Sequence, residues 1–208
     1  MKLYWSAYSP FVRKVTICAF ETGLAERIER ISSWVGYTDL SPEVMAVNPL
    51  NQIPTLIADD GVVFADSRVI CEYLDSLHDG MKLFPADGAA RWRALHWQST
   101  ADNLMALLIL WRNERLREGA MQSPAHLDGH ERKARATLAL LETIAPEVVA
   151  TPYGIGHAAI VAALGYLNFR FPDIAWRKDH PGLVPLFDAL SARPSFQTTQ
   201  GWLEEALG

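Results

Sequence analysis

Two hydrophobic periods run along this chain, and the place where one gives way to the other divides it. Met1–Trp5 is a short apolar and aromatic run, too short for a helix, and predicts a buried strand. Ser9-Pro10 joins a favoured N-cap to the favoured first helical residue. Phe11, Val15 and Cys18 then share a helical face as far as Thr22, with Gly23 as the stop. Residues 26–33 alternate imperfectly and read as a second strand. Ser41-Pro42-Glu43 repeats the cap-and-proline signal and opens a short helix to Val47, and residues 48–52 are turn chemistry. Residues 53–57 form a β-type run with Pro54 near its start, which marks either a strand edge or a cis bond in a tight turn. Asp59-Asp60-Gly61 folds residues 55–58 back on residues 62–65 as a hairpin. Asp66-Ser67 caps a helix in which Val69, Ile70, Tyr73, Leu74 and Leu77 keep helical spacing, and Gly80 ends it.

Beyond Leu83-Phe84-Pro85 no strand period remains. Helices are predicted over 89–117, over 130–144 with Pro146 as the close, over 154–170, over 181–192, and after Ser195. The stretch 154–170 is nearly all apolar and predicts the central buried helix. The expected composite is an α+β domain over residues 1–79, in the order βαβαββα, then an all-α helical bundle over 88–208. Residues 80–87 form the linker. A right-handed first crossover makes the first two strands parallel.

Composition narrows the function classes. A formal charge of −5 leaves no basic footprint for nucleic acid. No charged-then-apolar leader precedes the first strand, and the longest apolar run, 158–169, is interrupted by Asn168 and too short for a bilayer. Cys18 and Cys71 do not form a C-x-x-C pair and read as buried hydrophobes. A cytoplasmic protein is expected, with no membrane or nucleic-acid partner. His126 and His130 have ligand-like spacing, but Pro124 and Gly129 mark that stretch as loop, so no metal is expected. Gly154-x-Gly156 lacks the preceding strand of a dinucleotide site.

Ser9 sits at a helix start, beside unpaired N–H groups and the positive end of the helix dipole, where an anion is favoured. The bland alternative is a helix cap and nothing more. Tyr4 should be core, whereas Ser6 and Tyr8 are rival hydroxyls facing a substrate. Four local patterns in order weigh against the bland reading: Ser9-Pro10-Phe11 after the first strand, Asn48-Pro49 with Ile53-Pro54-Thr55-Leu56, Asp66-Ser67 before an apolar helix, and Arg193-Pro194-Ser195-Phe196. Together they resemble the glutathione transferase superfamily over essentially the whole chain, most closely its small bacterial members of the serine or cysteine type.

The resemblance implies a thioredoxin-like first domain with a cis Pro54, glutathione as co-substrate without a metal, and a homodimer acting in detoxification. It implies that Ser9 donates its hydroxyl hydrogen to the glutathione sulfur. Related thiol–disulfide modules carry cysteines where this chain has Ser9 and Val12, so dithiol exchange is excluded and cysteine-type chemistry disfavoured. Phe11 lies beside the activating residue. Ile53 presents its backbone to the cysteinyl part, Asp66 and Ser67 hold the γ-glutamyl end, and Asp102 reaches the glutathione of a partner subunit. Gln52 stands where relatives often carry Lys for the glycyl carboxylate. The expected reaction is transfer to a small apolar electrophile, for which Trp92, Trp97, Trp111, Met105 and Leu108 offer core, interface and cleft positions. A glutathione-dependent isomerase, dehalogenase or peroxidase, or a non-catalytic partner-binding relative, has the same signature. Relatives open the buried helix with an S/T-x-x-D box; Gly154 and His157 replace it here, so a looser helix start is expected.

Overall fold

In the computed structural model, which describes residues 1–207, the first apolar run forms β1 (Lys2–Trp5) and the Ser9-Pro10 signal starts α1 (Pro10–Glu21). Gly23, at φ +71°, turns the chain out of the helix with the positive φ that favours glycine. The run after it is shorter as a strand than its pattern suggests: Ala25–Arg27 make a 3₁₀ turn and only β2 (Glu29–Ser32) is extended. There follow α2 (Pro42–Val47), β3 (Thr55–Ile57), β4 (Val63–Ala65) and α3 (Ser67–Ser76). The third helix stops short of Gly80 because buried Asp75 turns to accept hydrogen bonds from the N–H groups of Leu83 (2.8 Å) and Phe84 (3.1 Å). The strands form one sheet in the order β2-β1-β3-β4, with β1 and β2 parallel and the other pairs antiparallel.

The remaining elements are α4 (Gly88–Arg115), α5 (Pro124–Ala150), α6 (Ile155–Arg170), α7 (Trp176–Asp179), α8 (Val184–Ser191) and α9 (Pro194–Leu207). The expected loop around His126 and His130 is instead the first turns of α5. Ser123 caps that helix by accepting from the N–H of His126, with Pro124 as its first residue. Gly129 is tolerated inside it, and Pro146 forgoes one backbone bond without ending it.

Packing divides the chain into two units that are not contiguous in sequence: Met1–Arg91 together with the chain from Arg193 onward, and Trp92–Ala192. The pattern-based division at residues 80–87 groups α9 with the helices before it; its contacts group it with α1. Arg13, buried on α1, donates to Thr199 Oγ1 (3.1 Å) and Gln200 Oε1 (2.9 Å) and lies 3.9 Å over the ring of Phe196. Burial lowers its guanidinium to about 10, so it is still a cation at neutral pH. At the other end of α1, Glu21 accepts from Arg193 Nε (2.8 Å) and Ser195 Oγ (2.6 Å). Cys18 on α1 and Cys71 on α3 are both fully buried free thiols. The neighbouring Cys71 thiol, and then burial, push the Cys18 thiol well above its usual range, which keeps it unreactive.

Within the second unit α6 is buried from Ile155 through Leu167, the central position its composition predicts. Its start is not left open. His157 Nδ1 accepts from the N–H of Gly154 (3.1 Å) and its Nε2 bonds the carbonyl of Val148 (2.9 Å), so the histidine performs the half of a capping box that an acidic side chain would. Gly156 is required by close approach: a Cβ there would stand 2.9 Å from Trp97 Cβ and 3.3 Å from the Ala94 carbonyl. Gly156→Val should therefore lower stability by roughly 2–3 kcal/mol. Thermal unfolding checks this, and an unchanged midpoint would mean that α4 and α6 can separate at no cost.

Candidate functional site

The sheet register brings three chain segments to one end of the first unit. Tyr4, Thr55 and Ala65 lie in one row across β1, β3 and β4. Because β1 and β4 leave that row where β3 enters it, the Ser6–Ser9 loop, the Ile53-Pro54 pair and Asp66-Ser67 all follow at the same edge. Two helix N-termini, those of α1 and α3, are set there as well, and each carries a partial positive charge.

Ser9 is the N-cap of α1, its Oγ accepting from the N–H of Val12 at a long 3.3 Å. The hydroxyl hydrogen has no acceptor among the described residues and is available to a ligand. Pro10 is buried and Phe11 half-buried. Of the rival hydroxyls, Tyr4 is core. That of Tyr8 donates to the carbonyl of Ala206 (2.5 Å), which ties the loop to α9, and Ser6 Oγ accepts from the Tyr8 N–H (3.4 Å). The Tyr8 ring meets exposed Trp34 edge-on at 6.3 Å.

The Ile53–Pro54 peptide bond is cis. Ile53 is half-buried, and its N–H and C=O form no hydrogen bond among the described residues, which leaves a short open backbone edge. The turn that presents it is built by two asparagines whose roles no local pattern disclosed. Asn48 Nδ2 donates to Thr55 Oγ1 (3.0 Å) and the Gln52 carbonyl (3.2 Å), while its Oδ1 accepts from the N–H of Leu50 (3.1 Å). Asn51, at φ +52°, accepts from the N–H of Ser41 (2.9 Å) and donates to the Asp39 carbonyl (3.1 Å). Asparagine is one of the few residues that tolerate this backbone region. The Gln52 side chain is exposed.

Asp66 caps α3 through Oδ1, which accepts from the N–H of Arg68 (2.8 Å), and Ser67 behind it is buried. The Asp66 backbone stands at φ +70°, ψ 123°, a combination that costs an L residue on the order of 1–3 kcal/mol. The surrounding fold thus holds the N–H groups of this helix start in one orientation. Asp102 lies in the second unit on α4 and is buried, 1% exposed. Among the described residues no cluster of three or more His, Cys, Asp or Glu side chains could hold a metal ion, and no helix is long and apolar enough to cross a membrane.

An N-cap hydroxyl with a free hydrogen, an open peptide edge and a second helix N-terminus suit a peptide-like ligand that carries an anionic atom. Comparison with known proteins agrees. A family model for the N-terminal domain of glutathione S-transferases matches residues 8–77. An uncharacterized GST-like protein, YibF of Escherichia coli strain K12, is 32% identical over 206 residues, covering 96% of this chain and 98% of the relative. The crystal structure of a glutathione transferase family member from Pseudomonas fluorescens Pf-5 with bound glutathione superposes with a TM-score of 0.92 at 40% identity, over 95% of this chain and 97% of that one. Another structure from the same organism, with bound S-(propanoic acid)-glutathione, gives 0.86 at 42% identity over 96% and 98%.

Proposed function

Since the chain belongs to the glutathione S-transferase superfamily, we propose that it is a serine-type transferase that binds glutathione at this end of the sheet and holds its sulfur as a thiolate with Ser9. The single observation that carries the reading is the Ser9 hydroxyl, whose hydrogen is unclaimed at the start of a twelve-residue helix. The thiolate is the nucleophile, and a charge-assisted hydrogen bond from Ser9 favours it over the thiol. Its sulfur attacks an electrophilic carbon of a small apolar molecule. The S–C bond forms as the leaving group departs with its electron pair, and the thiol proton has already passed to solvent.

The remaining contacts follow the geometry. The N–H and C=O of Ile53 receive the cysteinyl peptide as an added strand would, with Pro54 fixing the turn and Phe11 flanking the sulfur. Ser67 and the α3 N-terminus face the γ-glutamyl carboxylate, with Asp66 nearer its amine. Gln52 hydrogen-bonds the glycyl carboxylate. Residues 1–79 carry the glutathione-binding elements and 88–208 the helical ones, of which α9 packs with the first unit, in a cytoplasmic homodimer that serves detoxification. Exposed Leu50, Val63 and Val69 supply apolar surface for such an interface. Asp102 is the weakest contact in this reading because its side chain is already enclosed within its own chain.

Asn48→Ala should raise the KM for glutathione by about three- to tenfold with kcat nearly unchanged, since it loosens the turn that presents Ile53 without touching the sulfur. Steady-state kinetics with varied glutathione checks this, and an equal fall in kcat would mean that the turn also aligns the sulfur. A second reading rests on Gln52, which brings no charge to the glycyl carboxylate: a non-catalytic relative that binds a protein partner. Retention on immobilised glutathione supports the first reading, and passage through the column supports the second.

A further inference from the structure

A cavity of about 130 Å³ opens in the first unit beside the second half of α1, away from the Ser9 end. It is several times larger than the roughly 10–15 Å³ that one water needs. Buried Leu3 and Ala19 form its floor, half-buried Phe20 and Trp202 its walls, and exposed Glu26 and Arg30 its rim. The walls are fixed: Trp202 packs on Phe20 (5.7 Å) and edge-on against Trp5 (6.0 Å). The Arg30 guanidinium lies 3.8 Å over the Trp202 ring and 5.3 Å from that of Trp5. Two indoles therefore orient a guanidinium whose N–H donors meet no acceptor among the described residues. Glu26 likewise has no hydrogen-bond or ion-pair partner among them. Opposite charges thus line one cavity without closing on each other.

We propose that this cavity is a second ligand site, for a free α-amino acid with an aromatic side chain. The carboxylate forks onto the planar guanidinium of Arg30, the ammonium meets Glu26, and the ring sits on the Leu3 and Ala19 floor beside the packed Phe20 and Trp202. A plain carboxylate would be repelled by Glu26 and a plain amine by Arg30; a zwitterion satisfies both. The site shares no residue with the proposed glutathione site, so either reading can fail alone.

Calorimetric titration of the full chain with L-phenylalanine tests it. Expected is one saturable site with a dissociation constant below about 1 mM, weakened roughly tenfold or more by Arg30→Ala and by Glu26→Gln. Arg30→Lys, which keeps the charge but loses the fork, should fall between. 3-Phenylpropionate and phenethylamine, each lacking one charged group, should bind wild-type protein roughly tenfold more weakly. Thermal unfolding of each variant confirms that it is folded, and Arg30→Lys with Glu26→Gln carry the test if Arg30→Ala is not. No saturation by about 10 mM overturns the proposal. So does displacement of phenylalanine by glutathione, or 3-phenylpropionate binding as well as phenylalanine with Glu26→Gln without effect.

Discussion

Ser9→Ala is expected to raise the thiol pKa of bound glutathione by about 1–2 units and to lower kcat/KM toward an aryl halide by about ten- to a hundredfold. A hydrogen bond to a charged group contributes about 1.5–3 kcal/mol, and each pKa unit corresponds to about 1.4 kcal/mol of preference for the thiolate. Loss of the hydroxyl leaves the α1 N-terminus, which keeps part of the stabilisation, so activity should fall without vanishing. The substitution also removes the helix cap that accepts from Val12, worth about 1 kcal/mol of stability. Ser9→Gly separates the two roles. Glycine serves as an N-cap at a cost of only a few tenths of a kcal/mol but has no hydroxyl. If Ser9 activates the sulfur, both variants lose activity equally while only the alanine variant loses stability. A thiolate absorbance titration beside the kinetics decides. Unchanged kcat/KM in both variants would leave Ser9 as a cap and nothing more.

How much of this was legible in sequence depends on the range of the interactions. The starts of α1 and α2 and the β3–β4 turn were readable because cap, proline and Asp-Asp-Gly act within a few residues. Those signals also located Ser9 and Asp66-Ser67. The start of α5 carried the same Ser-Pro signal at residues 123 and 124, but Pro124 followed by Gly129 imitates a loop, and only the folded chain shows that the helix absorbs the glycine. The asparagines of the Ile53 turn work through side-chain bonds to backbone several residues away, which a hydropathy pattern does not register. The placement of α9 was out of reach for the same reason on a larger scale. It rests on Arg13 and Glu21, charged residues of a helix whose apolar face alone was visible.

That last contact carries a large and pH-dependent share of the stability. Glu21 is 12% exposed in its side chain and Arg193 38%. Burial alone would raise the Glu21 carboxyl, but the hydrogen bonds from Arg193 and Ser195, with the charge of Arg193, outweigh it and hold the group below its ordinary range. A depressed folded-state pKa contributes stability above the unfolded value, and that stability is lost as pH falls through the folded one. Arg193→Ala removes the main support and leaves a largely enclosed carboxylate with one hydroxyl donor. The expected loss at neutral pH is about 2–3 kcal/mol, below the range for a fully buried pair because Arg193 is partly solvated. The sign of the pH dependence identifies the cause. Without Arg193 the desolvated carboxyl rises, so it takes up a proton at a pH where wild-type Glu21 is still ionised, and protonation relieves the penalty. The gap in unfolding free energy between the two proteins should therefore narrow as pH falls through the ordinary carboxylate range, and other groups that titrate equally in both cancel from the difference. Denaturant unfolding at several pH values measures it. A gap that stays constant would locate the loss in the packing of the arginine stem rather than in its charge. Glu21→Gln combined with Arg193→Ala should recover part of the stability, since no buried charge is then left unpaired.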